Sequence, residues 1–170
     1  MIITKKLGKL PQYETRGKVI DWLWLEWYET NKRILHKRTA TGREVIIKIL
    51  KEAPEMTQGD VLYEDDAFCI VIDIHPCEVI VLTPKNLYEM ASVCYEIGNR
   101  HLPLFYVKGD VLVPYEAPLF RLLKAAGFEP VPDTRKLIQP LKTTVAPHSD
   151  RTGSSLFSRI MQLTNSNTND

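Results

Sequence analysis

The chain has 170 residues, enough for one large or two small domains with a core that folds without staples. Its 22 basic and 21 acidic residues leave a net charge of +1, which argues against nucleic acid as a main partner, since that would favour a basic surplus on one face. Three cysteines, Cys69, Cys77 and Cys94, at irregular spacing do not make a disulfide framework, so a reducing cytoplasm is expected. The opening MIITKKLGKL lacks the apolar core of a signal peptide, and no run approaches the length that crosses a bilayer, so no membrane partner is expected.

Met1 to Thr4 is short and β-branched and reads as a first strand; Pro11 to Gly17 reads as a loop. In Val19 to Tyr28, Ile20, Trp22 and Trp24 share one parity, and Leu23, Leu25 and Trp27 the other. A strand apolar on both faces is covered on both sides or lies in a small barrel, so the tryptophans are expected in the core. Asn31 to Thr39 and Arg43 to Leu50 flank Ala40-Thr41-Gly42 and form a hairpin. Lys32, Arg33, His36, Lys37 and Arg38 make it basic, mainly as a solvated face and secondarily as a docking patch for an acidic partner. Gly59 to Leu62 turns into a strand. Asp65-Asp66 marks a polar hairpin tip rather than an acid–base pair, which would need burial or a neighbour to separate the two pKa values. Phe68 to Ile72 is a further strand, so residues 1–75 read as a small all-β domain.

His75-Pro76-Cys77 falls where the pattern changes and reads as an inter-domain connection. In an extended segment the His75 and Cys77 side chains point the same way, and imidazole with thiolate suits zinc or a soft metal, which makes this pair a minor candidate site. Beyond it the pattern is mixed. Val79 to Thr83 reads as a strand and Pro84 to Asn99 as a helix, with Pro84 in the first turn and Leu87, Met90, Ala91, Cys94 and Ile97 as its apolar stripe. Gly98-Asn99 is expected to stop it, because both tolerate the left-handed conformation of C-terminal caps. Leu104 to Val107 and Val111 to Pro114 flank the turn Lys108-Gly109-Asp110. Pro118 to Ala126 is a second helix closed by Gly127, and residues 128–141 an irregular edge strand. The order strand–helix–strand–strand–helix–strand predicts a ferredoxin-like domain over 78–145, and the fold class is α+β. Residues 146–170 read as a flexible tail, in which Leu156, Phe157, Ile160 and Leu163 form one face of a short helix.

His101 follows directly on the helix end. Taken alone it is a surface histidine beside a cap. Its setting, Glu96-Ile97-Gly98-Asn99-Arg100-His101, resembles the EIGNRH signature of the UreE family, the metallochaperones that carry nickel to urease. Asn31 to Leu35 and Gly59 to Tyr63 also resemble family sequence, and the similarity spans roughly residues 1–145. The resemblance implies a β domain termed peptide-binding, a ferredoxin-like metal-binding domain, and a homodimer formed through the latter, with the motif histidines of two protomers sharing one metal. It implies no enzyme. Ni(II) would be delivered to a complex of apo-urease with accessory proteins, including the urease accessory GTPase. His101 is then the central ligand.

Imidazole suits nickel, zinc and copper alike, so Zn(II) or Cu(II) fit the same site. The tail offers only His148, where many members carry a histidine-rich end, and we expect it to add nitrogen ligands. Val113, Pro114 and Tyr115 stand near the positions where some members carry further histidines, so metal capacity is expected to be low. Two other readings compete: a peptide-binding or scaffold module without metal, and a hydrolase using Cys94 with His101. Cys94, on the apolar stripe, reads as core and not as a nucleophile.

Overall fold

The structure is a computed structural model and describes residues 1–15, 17–50 and 55–141. His148, the 146–170 tail and the apolar segment 156–163 lie outside the described residues.

The first half holds two sheets. Strands β1 (Ile2–Ile3), β5 (Glu44–Lys48) and β4 (Ile34–Arg38) form one, in that order; β2 (Gly8–Lys9), β6 (Asp60–Glu64), β7 (Phe68–Ile74) and β3 (Val19–Leu25) form the other. Leu23, Leu25, Ile70, Ile72 and Ile74 meet Leu35, Val45 and Ile47 between the sheets. The opposite face of β3 and β7 carries Ile20, Trp22, Cys69 and Val71, covered by Leu10 and Tyr13. The double apolar parity of β3 is thus explained by cover on both sides. The expected strand to Tyr28 ends at Leu25 instead, where Trp27–Glu29 forms a 3-10 turn. The hairpin loop between β4 and β5 is tied down from β3: the buried Asp21 carboxylate accepts hydrogen bonds from Thr41 N–H at 3.1 Å, Thr41 Oγ1 at 2.6 Å and Arg43 Nη1 at 2.6 Å.

The second half runs β8 (Pro76–Leu82), α1 (Leu87–Gly98), β9 (Phe105–Val107), β10 (Asp110–Pro114), α2 (Ala117–Ala125) and β11 (Val131–Lys136). Its sheet has the order β11-β8-β10-β9 with every pair antiparallel, the ferredoxin-like arrangement. Side chains of β8 alternate between two cores. Ile80 and Leu82 join Val111 and Val113 against Val93, Ile97, Leu119 and Leu123 of the helices. Val79 and Val81 face the other way, with Phe105, Leu112 and Leu137, and Trp27 of the first half packs there.

The chain does not cross between halves through a three-residue connection. β7 ends at Ile74 and β8 begins at Pro76, so His75 alone links them. Proline is admissible as the first residue of a strand, where no ladder N–H is demanded of it. Lys136 Nζ reaches back to Asp73 Oδ1 at 2.6 Å across the same seam.

Among the described residues no helix is long and apolar enough to cross a membrane.

Candidate metal centre

Helix α1 begins at Leu87, not at Pro84. Asn86 is its N-cap, its side chain accepting from the Glu89 N–H at 2.9 Å, while the Lys85 N–H donates to Glu89 Oε2 at 2.8 Å. An asparagine with an acid three residues on satisfies two otherwise unpaired donors, which outweighs the tolerance of proline at a first turn. The buried face centres on Val93 and Ile97, with Met90 and Cys94 packed beside them. Leu87 is 88 % exposed and Ala91 is also exposed, against the expected stripe. They belong instead to a second apolar face with Tyr88 and Tyr95, which are 82 % and 70 % exposed. Part of that face lines a shallow groove of about 460 Å³ shared with Ala126 and Phe128. The seven-residue step from Tyr88 to Tyr95, two helical turns, was the sequence signal for this face.

The end of α1 also differs in one respect. Gly98 is still helical and Asn99 is right-handed at φ −61°; the left-handed residue is His101 itself, at φ 54°. Histidine is among the few side chains enriched in that region, at a strain of roughly 1 kcal/mol. The turn is closed by Arg100 N–H donating to Ile97 O at 3.1 Å and His101 N–H to Gly98 O at 2.9 Å. Arg100 folds back to Glu96, with Nη1 2.8 Å from Oε2 and a second bond to the Glu96 carbonyl, so a cation sits on the helix C-terminus. Buried Ile97 before the turn and Leu104 after it fix both ends. His101 is therefore an exposed side chain on a rigid mount.

The other sequence candidates are not gathered around it. His75 stacks on Trp24, ring centroids 4.9 Å apart at 24°. Cys77 packs partly against the Val79–Phe105 core, with Sγ 3.8 Å from the Arg135 carbonyl. Burial, and then the charge of Glu26, push its thiol up. Burial likewise raises the Cys94 thiol, which lies 3.9 Å from Met90 Sδ in the helix core. That is a poor nucleophile, and the hydrolase reading loses its thiolate. His36 is exposed on β4. Among the described residues no three of His, Cys, Asp and Glu form a group that could hold a metal ion. One chain's described residues thus offer His101 as a single well-placed donor, and any site built on it takes further ligands from elsewhere.

The ferredoxin-like half thus carries an exposed histidine on a rigid turn and is joined through a single residue to a β half. The comparisons say which class of protein has these two halves: the urease accessory proteins. Residues 3–75 match the family model for the UreE urease accessory protein, N-terminal domain, and residues 77–155 that for its C-terminal domain. The urease accessory protein UreE of Flavobacterium johnsoniae is 44 % identical over 163 residues, covering 96 % of this chain and 99 % of that protein. That of Haemophilus influenzae is 46 % identical over 149 residues, covering 85 % and 80 %. That of Helicobacter pylori is 36 % identical over 155 residues, covering 88 % and 91 %. The chain belongs to the UreE family of urease accessory proteins, which are accessory chaperones and not enzymes.

Proposed function

We propose that this protein binds Ni(II) at His101 and delivers it, in the cytoplasm, to the assembly complex of apo-urease with its accessory GTPase. The observation that carries the reading is the exposed His101 held left-handed at the end of α1, within the family's EIGNRH run. One imidazole does not hold a divalent ion. A two-fold axis beside the turn doubles every ligand there, and a homodimer through the ferredoxin-like half supplies that axis. The exposed apolar face of Leu87, Tyr88, Ala91 and Tyr95 supports such a contact on the same helix. Gly98 supports it too: a methyl there meets nothing within 4 Å among the described residues, so none of these requires a glycine.

The path of the chain supports His148 as a further ligand. Past β11 the backbone crosses the sheet and bridges Pro140 to Phe105, and the Leu141 N–H donates to the Leu104 carbonyl at 2.7 Å. The antiparallel direction there leads back toward His101. His148 lies seven residues beyond Leu141, a reach of up to about 24 Å, whereas His101 is three residues from Leu104, at most about 11 Å. A ligand set of imidazoles shared between subunits and completed by chain ends can be emptied, as a carrier requires. Zn(II) or Cu(II) would occupy the same nitrogens.

Nickel titration calorimetry tests this on His101→Ala and His101→Gly. Glycine keeps the left-handed turn at no steric cost, so its effect reports the ligand and not the backbone. Both variants are expected to lose tight binding, at one nickel per wild-type dimer. Wild-type affinity in His101→Gly would move the site elsewhere.

A further inference from the structure

The outer edge of β4 is an unpaired ladder. In the β4–β5 pair the Thr39 N–H donates to the Arg43 carbonyl and the Ile49 N–H to the Arg33 carbonyl, each at 3.0 Å. Bonded and non-bonded pairs alternate in an antiparallel ladder, so the main chain of residues 33, 35, 37 and 39 faces β5. Ile34, His36 and Arg38, opposite Lys48, Ile46 and Glu44, therefore turn their N–H and C=O groups away from it. The far side of β5 has the matching parity, since the Ile46 N–H donates to the Met1 carbonyl at 2.9 Å. Among the described residues no strand pairs with the outer edge of β4.

That edge is positively charged. Lys37 is satisfied by Glu29 at 2.6 Å and Arg38 by Glu44 at 2.7 Å. Arg33 and Lys48 are exposed and have no ion-pair partner among the described residues, and Lys32 stands over the Tyr28 ring at 5.6 Å. Ile34, 54 % exposed, adds an apolar contact on the same face as His36 and Arg38.

We infer that the outer edge of β4 takes up an extended acidic segment of a partner protein as an added strand. Main-chain bonds to residues 34, 36 and 38 give affinity, and the surplus cations give the choice of partner. A second copy of this chain is disfavoured there, because its own β4 brings the same charges opposite. Basic side chains on a free edge guard against self-pairing, and the same field attracts an anionic strand. The inference goes beyond the nickel reading and stands without it.

The test titrates the full chain with a short capped peptide of alternating Glu and Val, and with its Lys-for-Glu counterpart, by NMR. The acidic peptide is expected to slow amide exchange at Ile34, His36 and Arg38 by ~10-fold or more, and to lose affinity as salt rises. The Lys peptide leaves these amides unchanged. His36→Pro removes an outward N–H without touching the β5 ladder and weakens binding. If that proline disturbs the fold, the double variant Arg33→Glu with Lys48→Glu decides instead, with an expected loss of roughly tenfold. Equal protection by the Lys peptide, binding that leaves these three amides unprotected, or no binding of the acidic peptide overturns the inference.

Discussion

Trp27 meets Phe105 edge to face, ring centroids 6.0 Å apart and planes at 85°. Trp27 closes the core of the first half and Phe105 is fully buried in β9 of the second, so this contact joins two cores. Nearby, the Trp24 ring stacks on His75 and also meets Lys136, whose Nζ is 5.4 Å from its centroid. An aromatic pair of this geometry adds about 0.5–1.5 kcal/mol beyond the area it buries.

Trp27→Ala is therefore expected to cost roughly 3 kcal/mol and to loosen the coupling between the halves. Calorimetry checks it. The wild type should melt in one transition and the variant in two, with the first half melting earlier. A single transition at unchanged temperature would show that the two cores are joined by other contacts.

Asp21 sets an acid limit on the first half. Burial by itself would raise its carboxyl, but hydrogen bonds from Thr41, Thr39 and Arg43 together hold it below the ordinary value of 3.8. A carboxyl lowered in the folded state contributes stability that is fully present above its unfolded value and is lost as pH falls through the folded one. The stability of the wild type should thus decline below pH 3.8, and part of that decline should be missing in Asp21→Asn. At neutral pH the same variant should lose roughly 1.5–3 kcal/mol, the range for hydrogen bonds to a charged group. Urea titrations at neutral and acid pH measure both effects.

Gly98→Ala separates one chain from the assembled protein. Among the described residues of one chain the methyl enters open space and lifts a helix penalty of about 0.5–1 kcal/mol. If the end of α1 lies against a second copy, the same methyl weakens the dimer. Sedimentation equilibrium should show a raised dissociation constant while the helix content of the monomer is kept. An unchanged dimer would place the interface away from Gly98.

His148 and the residues beyond it make different predictions. His148→Ala should weaken nickel binding without abolishing it, since water can refill one position, and should shift the preference toward metals content with four ligands. Removing residues 151–170 keeps His148 and should leave both nickel affinity and thermal stability unchanged. Calorimetric titration of the two proteins with Ni(II) and Zn(II) distinguishes them. A large loss of stability on truncation would make the 156–163 segment part of the core.

Much of this protein was legible in local sequence, because local chemistry dictates it. Gly42 at φ 87° and Gly109 at φ 100° stand where the two hairpin turns need a left-handed residue. The order of strands and helices in the second half follows from alternation and three-to-four spacing alone, and so does the existence of α1. The position of His101 after a helix end was equally local. The sequence of α1, however, carries two apolar stripes, one through Val93 and Ile97 and one through Leu87, Tyr88 and Tyr95. Helical periodicity does not rank them; the sheet beneath does, by burying the side that meets Ile80 and Val113. The left-handed residue is His101 and not Gly98 or Asn99, because both of those continue the right-handed helix and the Arg100 and His101 N–H groups close its last turn on the Ile97 and Gly98 carbonyls. Only the tertiary structure brought Leu141 beside Leu104 and, among the described residues, left the outer ladder of β4 open. Both are pairings, made or missing, between residues far apart in the chain, and no window of neighbouring residues encodes them.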